Sequence, residues 1–157
     1  MFASKRLGKE LLKMQSSLPP GITIVNADNF SEWQMDLQVL DSNPMYRNET
    51  YRLKFTFSKG YPIEAPEVVF INLPPTSPTP RPIPMHPHVY SNGIICLDLL
   101  GSAGWSPVQT VESVCVSIQS ILTGNTKNER PPDDGVFGQQ AVPRPRDISF
   151  RYHDNDV

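Results

Sequence analysis

The chain is short of cysteine, of surplus positive charge and of long apolar runs, and each shortage removes a class of protein. Two cysteines among 157 residues, Cys96 and Cys115, are too few to staple a small secreted scaffold and fit a reducing compartment. With 14 basic residues against 16 acidic ones and a formal net charge of -2, no basic excess is present to hold a phosphate backbone, so nucleic acid is not an expected partner. Nowhere do ~18 apolar residues run together, and Met1 to Met14 mix charged and apolar groups without the apolar core of a leader, so no membrane partner is expected either. The expectation is a soluble protein of the cytoplasm and nucleus, long enough for one domain that buries its own core, followed by a tail.

What is present is a change of period along the chain. From Ser4 to Gln15, Leu7, Leu11 and Met14 follow helical spacing, with Lys5, Lys9 and Lys13 on another face. Pro19-Pro20-Gly21 ends that helix, and Ile22 to Val25 is a short β-branched run. Trp33, Met35, Leu37 and Val39 then alternate with polar residues, as do Tyr51, Leu53, Phe55 and Phe57 after the turn formers Asp41-Ser42-Asn43-Pro44. Glu67 to Ile71 is a fourth strand. Six prolines between Leu73 and Met85 forbid a helix or central strand and read as a stiff, solvated surface insertion. Val111, Val114, Cys115, Ile118, Ile121 and Leu122 form the stripe of a core-facing helix stopped by Gly124. Its start has two candidate caps, Ser106 with Pro107 and Gln109, or Thr110 with Glu112 in the first turn. From Asn125 onward, prolines, scattered charges and no apolar period read as loop or disorder. Ile148, Phe150 and Tyr152 alternate, a pattern compatible with both a docked edge strand and an exposed tail.

One run carries chemistry: His86-Pro87-His88-Val89-Tyr90-Ser91-Asn92-Gly93-Ile94-Ile95-Cys96-Leu97-Asp98, followed by Trp105-Ser106-Pro107. Cys96 has an Asn-Gly turn upstream, a short apolar stretch to hold it and a rigid loop beyond. A thiolate attacks acyl donors readily and the thioester then yields to an amine, so a cysteine framed this way, outside a core helix, reads as an acyl carrier. Cys115, on the helix stripe, reads as core. His86, His88 and Cys96 lack the number and spacing of a tetrahedral zinc site, so no metal is expected.

The same run resembles the active-site stretch of ubiquitin-conjugating enzymes, where His-Pro-Asn, Asn-Gly-x-Ile-Cys-Leu and Trp-Ser-Pro recur at nearly this spacing. Lys5-Arg6, Trp33 and Tyr61-Pro62-x-x-x-Pro66 also stand where that family has similar residues, so the resemblance covers roughly Ala3 to Asp134. It implies an α+β fold with an N-terminal helix, a four-stranded antiparallel meander, an active-site loop and a central helix. The catalytic core would span residues 1–134, and a divergent, irregular or partly disordered tail residues 135–157. The resemblance further implies that Cys96 accepts ubiquitin from the activating enzyme and passes it to an amine. His88 replaces the Asn usually placed at the oxyanion, where a neutral imidazole N–H can donate in the amide's stead. His86 is expected to fix the loop backbone, Asn92 and Trp105 to support the site, and Asp134 to orient the incoming amine. ATP is consumed upstream, so no cofactor is expected on this chain.

His-Pro-His-Val-Tyr-Ser-Asn-Gly, Arg130-Pro131-Pro132-Asp133 and Tyr152-His153-Asp154 look most like the W-type members, which transfer ubiquitin to the α-amino group of substrate N-termini. The expected partners are therefore ubiquitin, the ubiquitin-activating enzyme, a RING or U-box ligase and proteins with flexible N-termini. Lys5, Arg6 and Lys9 would dock the activating enzyme and, with Ile63 and Ser106-Pro107-Val108, the ligase. Two other classes stay open. A non-catalytic ubiquitin- or ligase-binding module of the same fold generally lacks the acceptor cysteine, whereas a cysteine hydrolase turns over without any activating enzyme.

Overall fold

The two long helices and four strands that the periodicity predicts form; a 3-10 turn and a short helix entering the tail read as irregular, neither marked by any period, join them. The computed structural model describes residues 2–40 and 43–137. Helix α1 (Phe2–Ser16) precedes strands β1 (Ile22–Asn26), β2 (Glu32–Leu37), β3 (Tyr51–Thr56) and β4 (Glu67–Ile71). A 3-10 turn (Asp98–Leu100), helix α2 (Val111–Thr123) and a short helix α3 (Asp134–Phe137) follow. The strands form one antiparallel meander in the order β1-β2-β3-β4. Trp33 pairs with Phe55, and Met35 with Leu53, which puts the apolar set of both strands on one face. Val25 is the extra residue of a bulge in β1, where the register shifts between Ile24 and Asn26.

The core lies between that face and the two long helices. Trp33, Met35, Leu37, Leu53 and Phe55 from the sheet meet Val111, Val114, Cys115, Ile118 and Leu122 from α2, and Leu7 and Met14 from α1, all essentially without exposure. Glu10 shares the buried stripe of α1. Its carboxylate accepts from Arg6 Nε at 3.0 Å, the Tyr61 hydroxyl at 2.6 Å and the Val111 backbone N–H at 2.8 Å. A buried charge is tolerated only when it is satisfied in this way, and here it fastens α1 to the start of α2.

Of the two candidate caps of α2, Thr110 forms. It accepts from the Ser113 N–H at 3.0 Å and donates its own N–H to Ser113 Oγ at 2.7 Å, so Ser113, not Glu112, closes the capping box. Gly124 does end the helix, yet in right-handed geometry (φ -85°). The terminal carbonyls are met from elsewhere: Asn43 Nδ2 donates to the oxygens of Leu122, Thr123 and Asn125.

One expectation about loops needs correction, and a second, the loop after α2, holds as a loop that is pinned in place. Pro74, Pro75, Pro78 and Pro80 are exposed as expected, but the proline-rich segment is a closed hairpin and not a free insertion. Leu73 and Arg81 exchange both backbone hydrogen bonds, and Arg81 binds the Asp36 carboxylate on β2 at 2.9 Å beside Arg52 at 2.8 Å. Burial alone would raise the Asp36 pKa, but the two guanidinium partners outweigh it and hold the carboxyl below its ordinary value. The segment after α2 is not loose either. Arg130 donates to the carbonyls of Pro84, Val89 and Ile83, and Asp133 and Asp134 bind Tyr90 and Ser91. Polar anchors replace the apolar period whose absence made this stretch read as loop or disorder. Ile148, Phe150 and Tyr152 lie outside the described residues.

Candidate active site

The run from His86 to Cys96 folds back on itself, and a glycine allows the reversal. Gly93 has φ +95°, and a Cβ there would run into the Phe70 carbonyl oxygen, so the turn needs glycine both for its backbone and for its contact with β4. Phe70 N–H donates to Gly93 O, Gly93 N–H to Tyr90 O, and Tyr90 N–H to Ile94 O. Single bridges join Val69 to Ile94 and Val89 to Ile95. Val69, Tyr90, Ile94 and Cys96 form a small apolar cluster of their own. The reversal sets His88 opposite Cys96, whose backbone N–H donates to His88 O at 2.8 Å.

Two imidazoles line this site, and their partners fix both tautomers. His86 Nδ1 accepts from the His88 backbone N–H at 2.9 Å, while its Nε2 stands 3.2 Å from Ile121 O on α2. A carbonyl only accepts, so Nε2 carries the proton and the ring is neutral. Burial, then the neighbouring His88, push its pKa down to about 4 against the smaller opposing pull of the Ile121 carbonyl. His88 Nδ1 lies 3.1 Å from Cys96 O, and since a carbonyl only accepts, Nδ1–H is the donor and the tautomer is the one whose acceptor nitrogen is Nε2. The oxyanion role expected of a neutral His88 thus loses its donor, because that N–H is spent on the Cys96 carbonyl.

Cys96 is 1 % exposed, but it sits at the wall of a cleft of about 540 Å³ with His86, His88, Asp98, Ile121 and Lys127. Cys115 is wholly buried in the core, and burial, with the Glu112 charge adding, raises its pKa. The two thiols therefore separate by place: one borders a cleft beside histidine, the other is core packing. The other expected site residues are drawn elsewhere. Asn92 Oδ1 accepts from the Ile94 N–H and shapes the turn. Trp105 donates Nε1–H to Pro62 O at 2.7 Å, bracing the far end of the loop. Asp134 Oδ1 accepts from Ser91 N–H at 2.8 Å and from its hydroxyl at 3.1 Å, and it does not line the Cys96 cleft; the carboxylate that does is Asp98. Arg130 and Lys127, absent from the sequence-based set, frame the site. No periodicity marks them, because each acts through carbonyls or a cleft wall that exist only after folding.

The expected docking residues gather on one side. Lys5, Arg6, Lys9 and Ile63 line a groove with Lys59 and Tyr61, and Ile63 and Val108 are strongly exposed at 75 % and 80 %. Arg6 is already engaged: besides Glu10 it donates to Pro107 O and Gln109 O at 2.8 Å each, tying α1 to the loop of Ser106, Pro107 and Val108. Lys5 and Lys9 are exposed.

A four-stranded meander flanked by helices, with a cysteine held in a histidine-lined loop beside β4, defines a class of acyl carriers, and the comparisons say which. Residues 6–143 match the family model described as ubiquitin-conjugating enzyme; the chain belongs to that family and is a thioester-forming transferase of the ubiquitin pathway, working with ubiquitin, an activating enzyme and a ligase. It is 41 % identical over 155 residues to the probable ubiquitin-conjugating enzyme E2 W of Dictyostelium discoideum, covering 98 % of this chain and 97 % of that protein. It is 39 % identical over 154 residues to the probable ubiquitin-conjugating enzyme E2 W-A of Danio rerio, covering 96 % and 95 %. Among solved structures it is similar to ubiquitin conjugating enzyme E2 UbcA1 from Agrocybe aegerita, with a TM-score of 0.82, 42 % identity and coverage of 92 % and 98 %.

Proposed function

We propose that this chain carries ubiquitin on Cys96 and passes it to the α-amino group of substrate N-termini, with a RING or U-box ligase, in the cytoplasm and nucleus. The observation that carries the reading is the imidazole of His88 bonded to the Cys96 carbonyl, where the family usually places an amide. An α-amine has a pKa near 7.7 to 8.0 against ~10.4 for lysine, so at pH ~7.4 roughly a quarter is free base against ~0.1 %. Its lower basicity takes back part of that advantage in intrinsic nucleophilicity. A site equipped with imidazole rather than amide suits the nucleophile that is easier to deprotonate. Lys5, Lys9, Ile63 and Val108 fit the docking of activating enzyme and ligase, since all four are exposed, the first three line one groove, and Arg6 on the same helix reaches the loop of Val108. Arg6 serves there as the strut that holds Pro107.

The test charges the protein with ubiquitin and discharges it onto equal concentrations of Nα-acetyl-lysine, whose one amine is the ε-amine, and of a lysine-free peptide with an open N-terminus. The peptide is expected to react at least ~10-fold faster at pH ~7.4, given the free-base fractions above. Equal rates contradict the α-amine preference.

A further inference from the structure

We propose that Nε2 of His88 is the general base that takes the proton from the incoming amine. The inference rests on the reading of Cys96 as the ubiquitin carrier and adds a base to it. A neutral imidazole has one donor and one acceptor nitrogen. His88 commits Nδ1–H to the carbonyl of Cys96 at 3.1 Å, and its own carbonyl accepts the Cys96 N–H at 2.8 Å, so the ring is held to the residue that bears the thioester. Among the described residues Nε2 has no hydrogen-bond partner, and the ring lines the same cleft as Cys96. His86 has both nitrogens occupied, by the His88 N–H and by Ile121 O, and its neutral form is favoured down to about pH 4, so it braces His88 without competing for the proton. Asp134 is bound to Ser91 outside the cleft.

The step balances without any further reagent. The amine nitrogen attacks the thioester carbonyl carbon, the C=O pair moves to oxygen, and the N–H proton passes to His88 Nε2. The tetrahedral adduct collapses with loss of the Cys96 thiolate, and the imidazolium returns its proton to that thiolate. The products are an amide and a thiol.

His88→Asn is the informative variant, because the Asn side-chain amide retains a donor for the Cys96 carbonyl while supplying no base; His88→Gln is the second variant with the same expectation. Each is charged with ubiquitin, which also reads folding, and discharged in a single round onto the lysine-free peptide and onto hydroxylamine, which is free base at neutral pH. Discharge to peptide at pH ~7 is expected to fall ~100-fold or more, the usual worth of a positioned base. Discharge to hydroxylamine, whose weakly basic nitrogen gives an adduct that sheds its N–H proton to water, stays within ~3-fold, and the peptide deficit shrinks above pH ~8 as hydroxide takes the adduct's proton in place of the imidazole. His86, Cys96, Asp98 and Lys127 share the cleft, and their own titration cancels in the ratio of variant to wild type at each pH. An equal loss for both nucleophiles at every pH overturns the base and assigns His88 a positioning role; an unchanged peptide rate overturns it outright. The lysine-against-peptide preference is read on the wild type alone, so its failure leaves this ratio intact.

Discussion

His86 shows how one side chain ties stability to pH. Its folded pKa of about 4 lies below the ordinary 6.5, so between those values the unfolded chain binds the extra proton. Its contribution is therefore complete above pH ~6.5 and is lost as pH falls toward 4, by roughly 3 kcal/mol in all. Urea unfolding at pH ~7 and pH ~4.5 measures the loss, and His86→Asn, which has no proton to gain, is expected to lower stability at neutral pH while removing His86's share of the slope. At this scale the sequence is readable where a residue's neighbours are near in the chain: His86, His88 and Cys96 are marked by their own run. Which nitrogen of each ring bears the proton is not readable, because the deciding acceptors, Ile121 O and Cys96 O, arrive only when α2 and the Gly93 turn are in place.

At the scale of elements, the helices are fixed by partners that a linear pattern does not show. The start of α2 is held by Thr110 and Ser113 locally and by Glu10 from α1, and its end by Asn43. Glu10→Ala leaves the Tyr61 hydroxyl and the Val111 N–H without their acceptor and is expected to cost about 2 to 4 kcal/mol in chemical denaturation. Asn43→Asp keeps the acceptor for the Met45 N–H but turns a negative charge toward three carbonyls at the negative end of α2, so it should cost more than the ~1 kcal/mol of an ordinary lost cap. A cost no greater than that of Asn43→Ala contradicts the donor role. Strands and helices themselves were legible because period two and period 3.6 are local signals. The proline hairpin was not, since Arg81 reaches Asp36 from 45 residues away.

Across the whole molecule, the described residues form a sheet-and-helix core onto which a strap, from Asn125 to Asp134, is pinned by polar contacts. Arg130 is its main fastening and joins the strap to the segment that leads into His86. Arg130→Ala should destabilise the domain by about 2 to 3 kcal/mol, since three carbonyls lose a charge-assisted donor, and should slow ubiquitin loading by loosening the loop that holds Cys96; unchanged stability in urea removes the strap from the account. The central claim concerns the two thiols, and the most direct measurement is a loading reaction with ubiquitin, activating enzyme and ATP, resolved on a gel without reductant. Wild type and Cys115→Ala are predicted to form an adduct that thiol reductant removes, with Cys115→Ala less stable by about 1 kcal/mol for the small cavity left in the core, while Cys96→Ala forms none. An adduct that persists in Cys96→Ala, or that disappears in a folded Cys115→Ala, contradicts the assignment of Cys96 as the carrier.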